Sequence, residues 1–503
     1  MQYVAAVDQG TTGTRTMLFD RHGEVRGEAY ERHEQYYPNP GWVEHDPIEI
    51  FDSVVDTFHR ALADACVAAT DVAAIGIANQ RETTVLWDRD TGSPIYNAIV
   101  WQDRRTTSRI EALEGTDMAD AIRTTTGLEP DAYFSATKLE WLLDRADPNG
   151  AAGKSTESIR DRAESGNLCF GTIDSWLVWK LTGTHVTDVT NASRTMLFDI
   201  HELAWDRTLL EEFRIPESIL PEVRPSSDET VYGYTDESSL GATIPVTAAL
   251  GDQQAALFGQ TCFESGDAKN TYGTGSFLLL NTGSEPISSD HGLLTTVGFQ
   301  RSGEPARYAL EGSIFVTGAA IEWLADVGIV ENVTQTESLA RSVESTDDVY
   351  FVPAFSGLGA PHWDQRARGT IVGMTRGTEP AHLVRATLSA IAFRTREVVE
   401  AMLEDSGLSL ASLRVDGGAV ENDFLCQHQA DALGTDILRP EVEETTALGA
   451  AYAAGLAVGY WESVDDLRSN WHVDRHFEPE STLKDEYERW KAAVDRSREW
   501  ARE

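Results

Sequence analysis

Lysine is nearly absent from this chain. Six residues (Lys138, Lys154, Lys180, Lys269, Lys484 and Lys491) are all it has in 503, so 35 of its 41 basic side chains are arginine. Basic residues of either kind are outnumbered two to one by 82 acidic ones, leaving a formal net charge of -41. A surface of that sign repels phosphate backbones and anionic lipid, which excludes nucleic acid and membrane as partners. Cysteine is scarce as well. Cys66, Cys169, Cys262 and Cys426 are scattered, with no C-x-x-C pair, which excludes a disulfide framework and suits small buried side chains in a reducing compartment. Long apolar runs are missing too: Ala450 to Trp461 is too short and too Gly-rich to span a bilayer. Met1 leads directly into a strand-like run with no charged region and apolar stretch before it, so a soluble, cytoplasmic protein that is not exported is expected.

What is present suits a large two-domain protein. A chain of 503 residues with 41% hydrophobic content can bury more than one core. Tyr3 to Val7 reads as a strand ending in Asp8, followed by the Gly/Thr-rich stretch from Gln9 to Thr14 and a second strand from Arg15 to Phe19. A related order recurs at mid-chain. The apolar run Val246 to Leu250 leads into Gly251-Asp252-Gln253-Gln254, and the turn Tyr272-Gly273-Thr274-Gly275 precedes Phe277 to Leu280. Further on, Leu413 to Val415 reads as a strand, Asp416-Gly417-Gly418 as a turn, and Glu421 to Leu433 as a helix with Phe424, Leu425, Ala432 and Leu433 on one face. The expectation is a mixed α/β protein with an N-terminal lobe over 1–250 and a C-terminal lobe over 251–503, weakly symmetric. Asp144 to Asn167, polar and Gly/Ser-rich, reads as a surface excursion.

Several residues could carry chemistry. Gly10-Thr11-Thr12-Gly13-Thr14 offers backbone N–H groups and hydroxyls for a phosphate, with Asp8 placed to hold a metal-bound water and Arg15 to meet phosphate oxygens; an ordinary hairpin turn is the alternative. Gly150-Ala151-Ala152-Gly153-Lys154-Ser155 imitates a P-loop but lacks the four-residue spacing and a preceding strand, and is dismissed. Asp252 could accept the proton of an attacking alcohol, or merely cap a helix. Arg81-Glu82 could bind polyol hydroxyls from both sides, or be a solvated surface pair. Trp101 and Phe277 could face the C–H side of a polyol, or be core. His472 and His476 have i, i+4 spacing without a third ligand nearby, which makes a poor zinc site.

The order of these segments is more specific than any one of them. Val7-Asp8-Gln9-Gly10-Thr11-Thr12, Pro40-Gly41-Trp42-Val43-Glu44-His45-Asp46-Pro47, Asn79-Gln80-Arg81-Glu82-Thr83-Thr84 and Asn97-Ala98-Ile99-Val100-Trp101-Gln102 come first. Thr190-Asn191-Ala192-Ser193-Arg194-Thr195-Met196, Gly251-Asp252-Gln253-Gln254-Ala255-Ala256 and Asp416-Gly417-Gly418-Ala419 follow. Together they resemble the FGGY family of carbohydrate kinases over nearly the whole chain, and within it the branch that phosphorylates glycerol. The resemblance implies an actin-like, hexokinase-like ATPase fold with a ribonuclease H-like core in each lobe, the lobes closing over ATP and substrate. It implies phosphorylation of glycerol to sn-glycerol 3-phosphate with Asp252 as base, Mg²⁺ bridging the phosphates through waters held by Asp8, and a homo-oligomer. Carried over by position, Arg81, Glu82, Tyr133, Asp252 and Gln253 resemble the glycerol-hydroxyl ligands, and Trp101 and Phe277 the apolar wall. Thr11, Thr12 and Gly13 resemble the first phosphate loop, Arg15 an ADP or phosphate contact, and Thr274, Gly318, Glu322, Gly418 and Asn422 nucleotide contacts. Glu322 departs from the glutamine found in bacterial relatives. Thr235 to Ile244 lacks the Gly- and Arg-rich stretch that binds fructose bisphosphate in some of them, so no such feedback is expected. Two rivals stay open: a family member acting on a longer polyol or sugar such as xylulose or gluconate, and a non-kinase actin-like ATPase.

The charge itself generates a prediction. An excess of carboxylates repels itself in dilute buffer and is screened when salt is concentrated. The midpoint of unfolding should therefore rise steeply from low to multimolar KCl; equal stability at both ends would show that the acidic surface is not a solvent adaptation.

Overall fold

The computed structural model describes residues 2–145 and 158–501. The chain divides into two compact units, one comprising Met1–Thr261, Thr295–Tyr308 and Thr445–Asn470, the other Cys262–Leu294, Ala309–Glu444 and Trp471–Glu503.

The first unit is built on a six-stranded sheet. Its strands are β1 (Tyr3–Gln9), β2 (Gly13–Phe19), β3 (Val25–Arg32), β4 (Val72–Asn79), β5 (Gly233–Tyr234) and β6 (Pro245–Gly251), in the order β5-β6-β4-β1-β2-β3. β1, β2 and β3 form an antiparallel meander, while β4 and β6 run parallel to β1. Val4, Ala5, Ala6 and Val7 are all buried, as expected of a central strand covered on both faces, whereas β3 alternates exposed and buried positions as an edge strand does. The helix Pro47–Ala65 begins with proline after Asp46, whose carboxylate accepts from the Ile48 N–H at 2.8 Å. It buries Ile50, Val54, Phe58 and Ala61, a stripe at helical spacing. Its hydroxyls pair with those of β2, Ser53 with Thr14 at 2.8 Å and Thr57 with Thr16 at 2.9 Å. The helix ends at Cys66, left-handed at φ 56° and exposed. That departs from the burial expected of all four cysteines; the other three are buried.

The helix Thr445–Ala457 contains the start of the Gly-rich stretch singled out in the sequence. It is buried nearly all round, as its lack of a polar face requires. Glycine lets it approach so closely: a Cβ on Gly76 or Gly449 would overlap the carbonyl of Ala450 or Ala255 respectively. The later part of the polar 144–167 segment is not loose. Ile159–Glu164 is a helix with Ile159 and Ala163 buried, and Arg162 pairs with Asp88 at 2.7 Å. The P-loop imitation at 150–155 lies outside the described residues.

In the second unit, β7 (Ala268–Tyr272) and β8 (Ser276–Gly283) form a hairpin. β9 (Ser412–Asp416) lies parallel to β7, β10 (Asp436–Pro440) parallel to β9, and β11 (Val473–Phe477) antiparallel to β10. Each unit thus repeats one motif: a hairpin whose first strand is continued by two parallel strands. This is the symmetry that the two Gly/Thr turns implied, and it is the mixed α/β architecture expected. The helix Asp423–Leu433 starts two residues later than its apolar pattern predicted, because Gly418–Glu421 is a 3-10 turn and Asn422 is the N-cap. Among the described residues no helix is long and apolar enough to cross a membrane.

The glycine contact is testable. Gly449→Val forces a branched side chain against the Ala255 carbonyl and should destabilise the protein by about 3 kcal/mol or more, the upper end of overpacking costs. Denaturant unfolding in high KCl measures it.

Candidate active site

In the first unit, β1 and β2 are joined by the turn Gly10–Thr12, closed by the Gly10 N–H donating to the Gly13 carbonyl at 2.9 Å. Gly13 has no room for a side chain against the Glu31 carbonyl and the Tyr30 hydroxyl. The loop is clamped from outside: Trp101 Nε1 donates to Thr11 Oγ1 at 2.9 Å and Gln35 Nε2 to the Thr11 carbonyl at 2.8 Å. Asp8 and Arg15 face each other across the ladder. The pair thereby brings a carboxylate and a guanidinium to the two strands that carry the turn.

β4 leads into Gln80-Arg81-Glu82. A tight reversal, with the Thr83 N–H donating to the Arg81 carbonyl at 2.7 Å, leaves Glu82 left-handed at φ 62°, a conformation uncommon outside glycine. The surface-pair reading of Arg81 and Glu82 is overturned: their side chains are 2% and 1% exposed. Burying charge demands partners. Arg194 Nε donates to Glu82 Oε1 at 2.7 Å, Arg81 Nε lies 3.1 Å from Asp252 Oδ1, and Arg81 Nη1 donates to Gln254 Oε1 at 3.2 Å. Gly251 is needed here for close approach, since a Cβ would stand 2.6 Å from Arg81 Cδ.

Asp252 is the first residue of the helix Asp252–Gly259, and Gln253 donates its N–H to Oδ1 at 2.7 Å. Its side chain is 30% exposed, unlike its neighbours, so it is the carboxylate of this cluster open to an incoming molecule. Trp101 and Tyr133 meet edge to face at 5.4 Å between centroids. Of the residues singled out for glycerol, Arg81, Glu82, Asp252 and Gln253 form one connected cluster in the first unit. It joins the Trp101–Tyr133 pair through Ser135, whose hydroxyl donates to the Glu82 carbonyl at 2.9 Å. Phe277 belongs to the second unit, on β8 opposite Thr271.

The second unit carries the other hairpin turn. The Gly273 N–H donates to the Gly275 carbonyl at 2.8 Å, and the N–H groups of Thr317 and Ala319 donate to the Thr274 carbonyl at 2.9 and 3.1 Å. The turn is thus fastened to the start of the helix Gly318–Asp326, and a Cβ at Gly318 would lie 2.6 Å from the Gly273 carbonyl. A cavity of about 220 Å³ is lined by Ile321, Val333, Thr336, Gly418, Ala419 and Asn422 among others. Asn422 has much of its amide engaged: Oδ1 accepts from the Leu425 N–H at 3.0 Å, and Nδ2 donates to Thr336 Oγ1 at 3.2 Å. Glu322 is exposed and does not line this cavity. Sequence reasoning assigned no role to Arg194, although it lies in a quoted segment, because its partner is 112 residues away. It also passed over Lys138, a fully buried cation whose burial pushes its pKa down to about 7.

The arrangement pairs a cluster of polar side chains with two aromatic rings in one unit, and provides a glycine-rich turn in each. Comparison with known proteins agrees. The family model described as the FGGY family of carbohydrate kinases, N-terminal domain, matches residues 3–259, and the C-terminal domain of the same family matches 268–458. Glycerol kinase of Haloferax volcanii is 67% identical over 504 residues, 100% of this chain and 99% of that protein. Glycerol kinase of Halobacterium salinarum is 66% identical over 505 residues, again covering 100% and 99%. Among solved structures, Plasmodium falciparum glycerol kinase with ADP superposes with a TM-score of 0.92 at 37% identity, over 99% of this chain and 98% of that one.

The charge network sets up a paired test. Arg194→Met leaves a buried carboxylate short of its nearest cation and should cost about 3 kcal/mol of unfolding free energy. Adding Glu82→Gln should recover more than half, as measured by denaturant unfolding; no recovery would show that the two side chains are not coupled.

Proposed function

The chain belongs to the FGGY family of carbohydrate kinases, and from that premise we propose that it transfers the γ-phosphoryl group of ATP to a terminal hydroxyl of glycerol, giving sn-glycerol 3-phosphate and ADP. The observation that carries the reading is the convergence of Arg81, Glu82 and Asp252, with the Trp101–Tyr133 ring pair nearby. Glycerol has three hydroxyls and a short hydrocarbon face, so it asks for polar groups on one side and aromatic ones on the other. Arg81 donates to an acceptor oxygen, Glu82 and Asp252 accept from hydroxyls, and Tyr133 and Gln253 complete the set. Trp101 supplies the apolar wall. Water has no such face and gains nothing from it.

Asp252 takes the proton of the attacking hydroxyl. In a loose phosphoryl-transfer transition state that demand is modest and late, so aim matters more than basicity. Arg81 and the Gln253 N–H hold the carboxylate at Oδ1, which leaves Oδ2 for the alcohol. Each unit has its own turn suited to phosphate oxygens: Thr11, Thr12 and Gly13, with the Arg15 guanidinium, in the first, and Thr274 in the second. The cavity at Gly418 and Asn422 takes the adenosine, with Gly318 keeping its helix against the Thr274 turn. Glu322, being exposed, contributes at most a peripheral contact.

Bound Mg²⁺ would supply neutralisation of the charge that develops on the transferred phosphoryl group. Among the described residues no group of three or more His, Cys, Asp or Glu side chains could cage a metal. Asp8, on the strand that leads into the first turn, would hold a water of such an ion. A cytoplasmic homo-oligomer completes the reading.

ADP release from ATP-Mg²⁺ in high KCl tests it. Glycerol should stimulate turnover strongly, and Asp252→Asn should lower kcat about 10²- to 10⁴-fold, the range for loss of a proton acceptor. Turnover indifferent to glycerol would overturn the substrate assignment and redirect the assay to xylulose and gluconate.

A further inference from the structure

Lys138 is used by no step above, yet it is one of few lysines in the chain and its side chain is wholly buried. It sits in the first half of the helix Ser135–Leu143 and points back over the turn that precedes it. Its Nζ donates to the carbonyls of Ala132, Tyr133 and Phe134 at 2.6, 2.5 and 3.1 Å. Three carbonyl oxygens on one nitrogen call for three N–H donors, which only the ammonium form has. The geometry therefore favours the charged form despite the depressed pKa, and every donor is spent on three consecutive carbonyls of one turn. Other fasteners hold the same turn. Asp131 Oδ1 accepts from the Tyr133 N–H at 2.7 Å, Arg104 pairs with Asp131, and Ser135 Oγ donates to the Glu82 carbonyl at 2.9 Å. The turn is therefore tied on one side to Lys138 and on the other to the strained reversal that presents Arg81 and Glu82.

We propose that Lys138 is a positioning residue for the acceptor alcohol, holding the Tyr133 backbone so that the phenol and its ring contact with Trp101 stand in fixed register with Glu82. The proposal rests on the glycerol reading and deepens it. A purely architectural lysine would serve burial alone, and an apolar residue of the same length would serve it better. A long side chain that spends all its donors on the peptide carbonyls around one substrate-facing residue sets direction, and misdirection by a fraction of an ångström weakens a polyol site held by hydrogen bonds. The charged groups around it are Glu82, Asp103, Arg104 and Asp131. All of them belong to the first unit, so removal of the ammonium acts on the acceptor side.

The test is a double-mutant cycle on the full chain in high KCl, reading KM for glycerol and for ATP separately. Lys138→Met should raise the glycerol KM about tenfold, the loss of roughly one charge-assisted hydrogen bond, with the ATP KM unchanged within twofold. In a Tyr133→Ala background the same substitution should change the glycerol KM by less than about twofold, since the residue it aims is gone. Equal tenfold effects in both backgrounds, or a matching rise in the ATP KM, would overturn the positioning role. Should Lys138→Met not fold, Lys138→Gln, which keeps one amide donor group, runs the same cycle with a smaller first step. Wild-type protein with no glycerol dependence would instead overturn the substrate reading, whatever the cycle shows.

Discussion

The carboxylate of Glu82 is 1% exposed, sits on a left-handed residue, and faces Arg194 at 2.7 Å and Arg81 at 4.0 Å. From it the charges alternate: Arg194, Glu82, Arg81, Asp252. Such a chain is poor material for stability, because desolvating each ion costs about as much as the pairing returns. Its use is directional. Arg81 cannot relax away from Asp252 without abandoning Gln254, and the Glu82 turn cannot unwind without releasing both Ser135 and Arg194. Four segments distant in sequence are thereby fixed to one another before any substrate arrives, which is what placing small hydroxyls requires.

The same economy of movement governs the two hairpins. Gly13 approaches the Glu31 carbonyl, and Gly318 approaches Gly273, at distances no side chain would permit. In each unit the glycine lies where a turn rich in N–H groups must be held against a neighbouring element. The duplicated hairpin therefore provides two loops of like chemistry on two separate sheets. In the first unit the nearly all-buried helix Thr445–Ala457 likewise reaches the sheet closely, through Gly76.

Much of this was legible in the sequence, and the limits are physical. Strands β1, β2, β6, β8 and β9 showed themselves as short apolar runs beside polar or Gly-rich turns, because buried central strands have no polar face to disguise them. The helix after Asn422 was visible through its apolar spacing, and its start was misjudged because a 3-10 turn and a capping asparagine look alike in sequence. The alternation of Arg81 and Glu82 suggested solvent; burial depends on partners such as Arg194 that no local pattern reveals. Lys138 was silent for the same reason, its partners being backbone carbonyls that every residue possesses. Cys66 ran against expectation because a helix terminus, not a core, set its environment.

Charge and site then make one argument. A surface carrying a net -41 would oppose the approach of a polyanion such as ATP in dilute buffer. At about 1 M salt the Debye length is about 3 Å, so that opposition vanishes, and with it any help from long-range steering. Recognition must then come from groups in direct contact and away from mobile ions. That favours guanidinium forks, such as Arg81 and Arg194, whose planar donors keep their geometry when buried. It also bears on two of the lysines that remain. Lys138 and Lys269 are both wholly buried, one capping three carbonyls and the other donating to Thr271 Oγ1 at 2.9 Å and the Phe277 carbonyl at 3.3 Å. A compact ammonium suits such converging acceptors, whereas Lys180, Lys484 and Lys491 are half-buried or exposed.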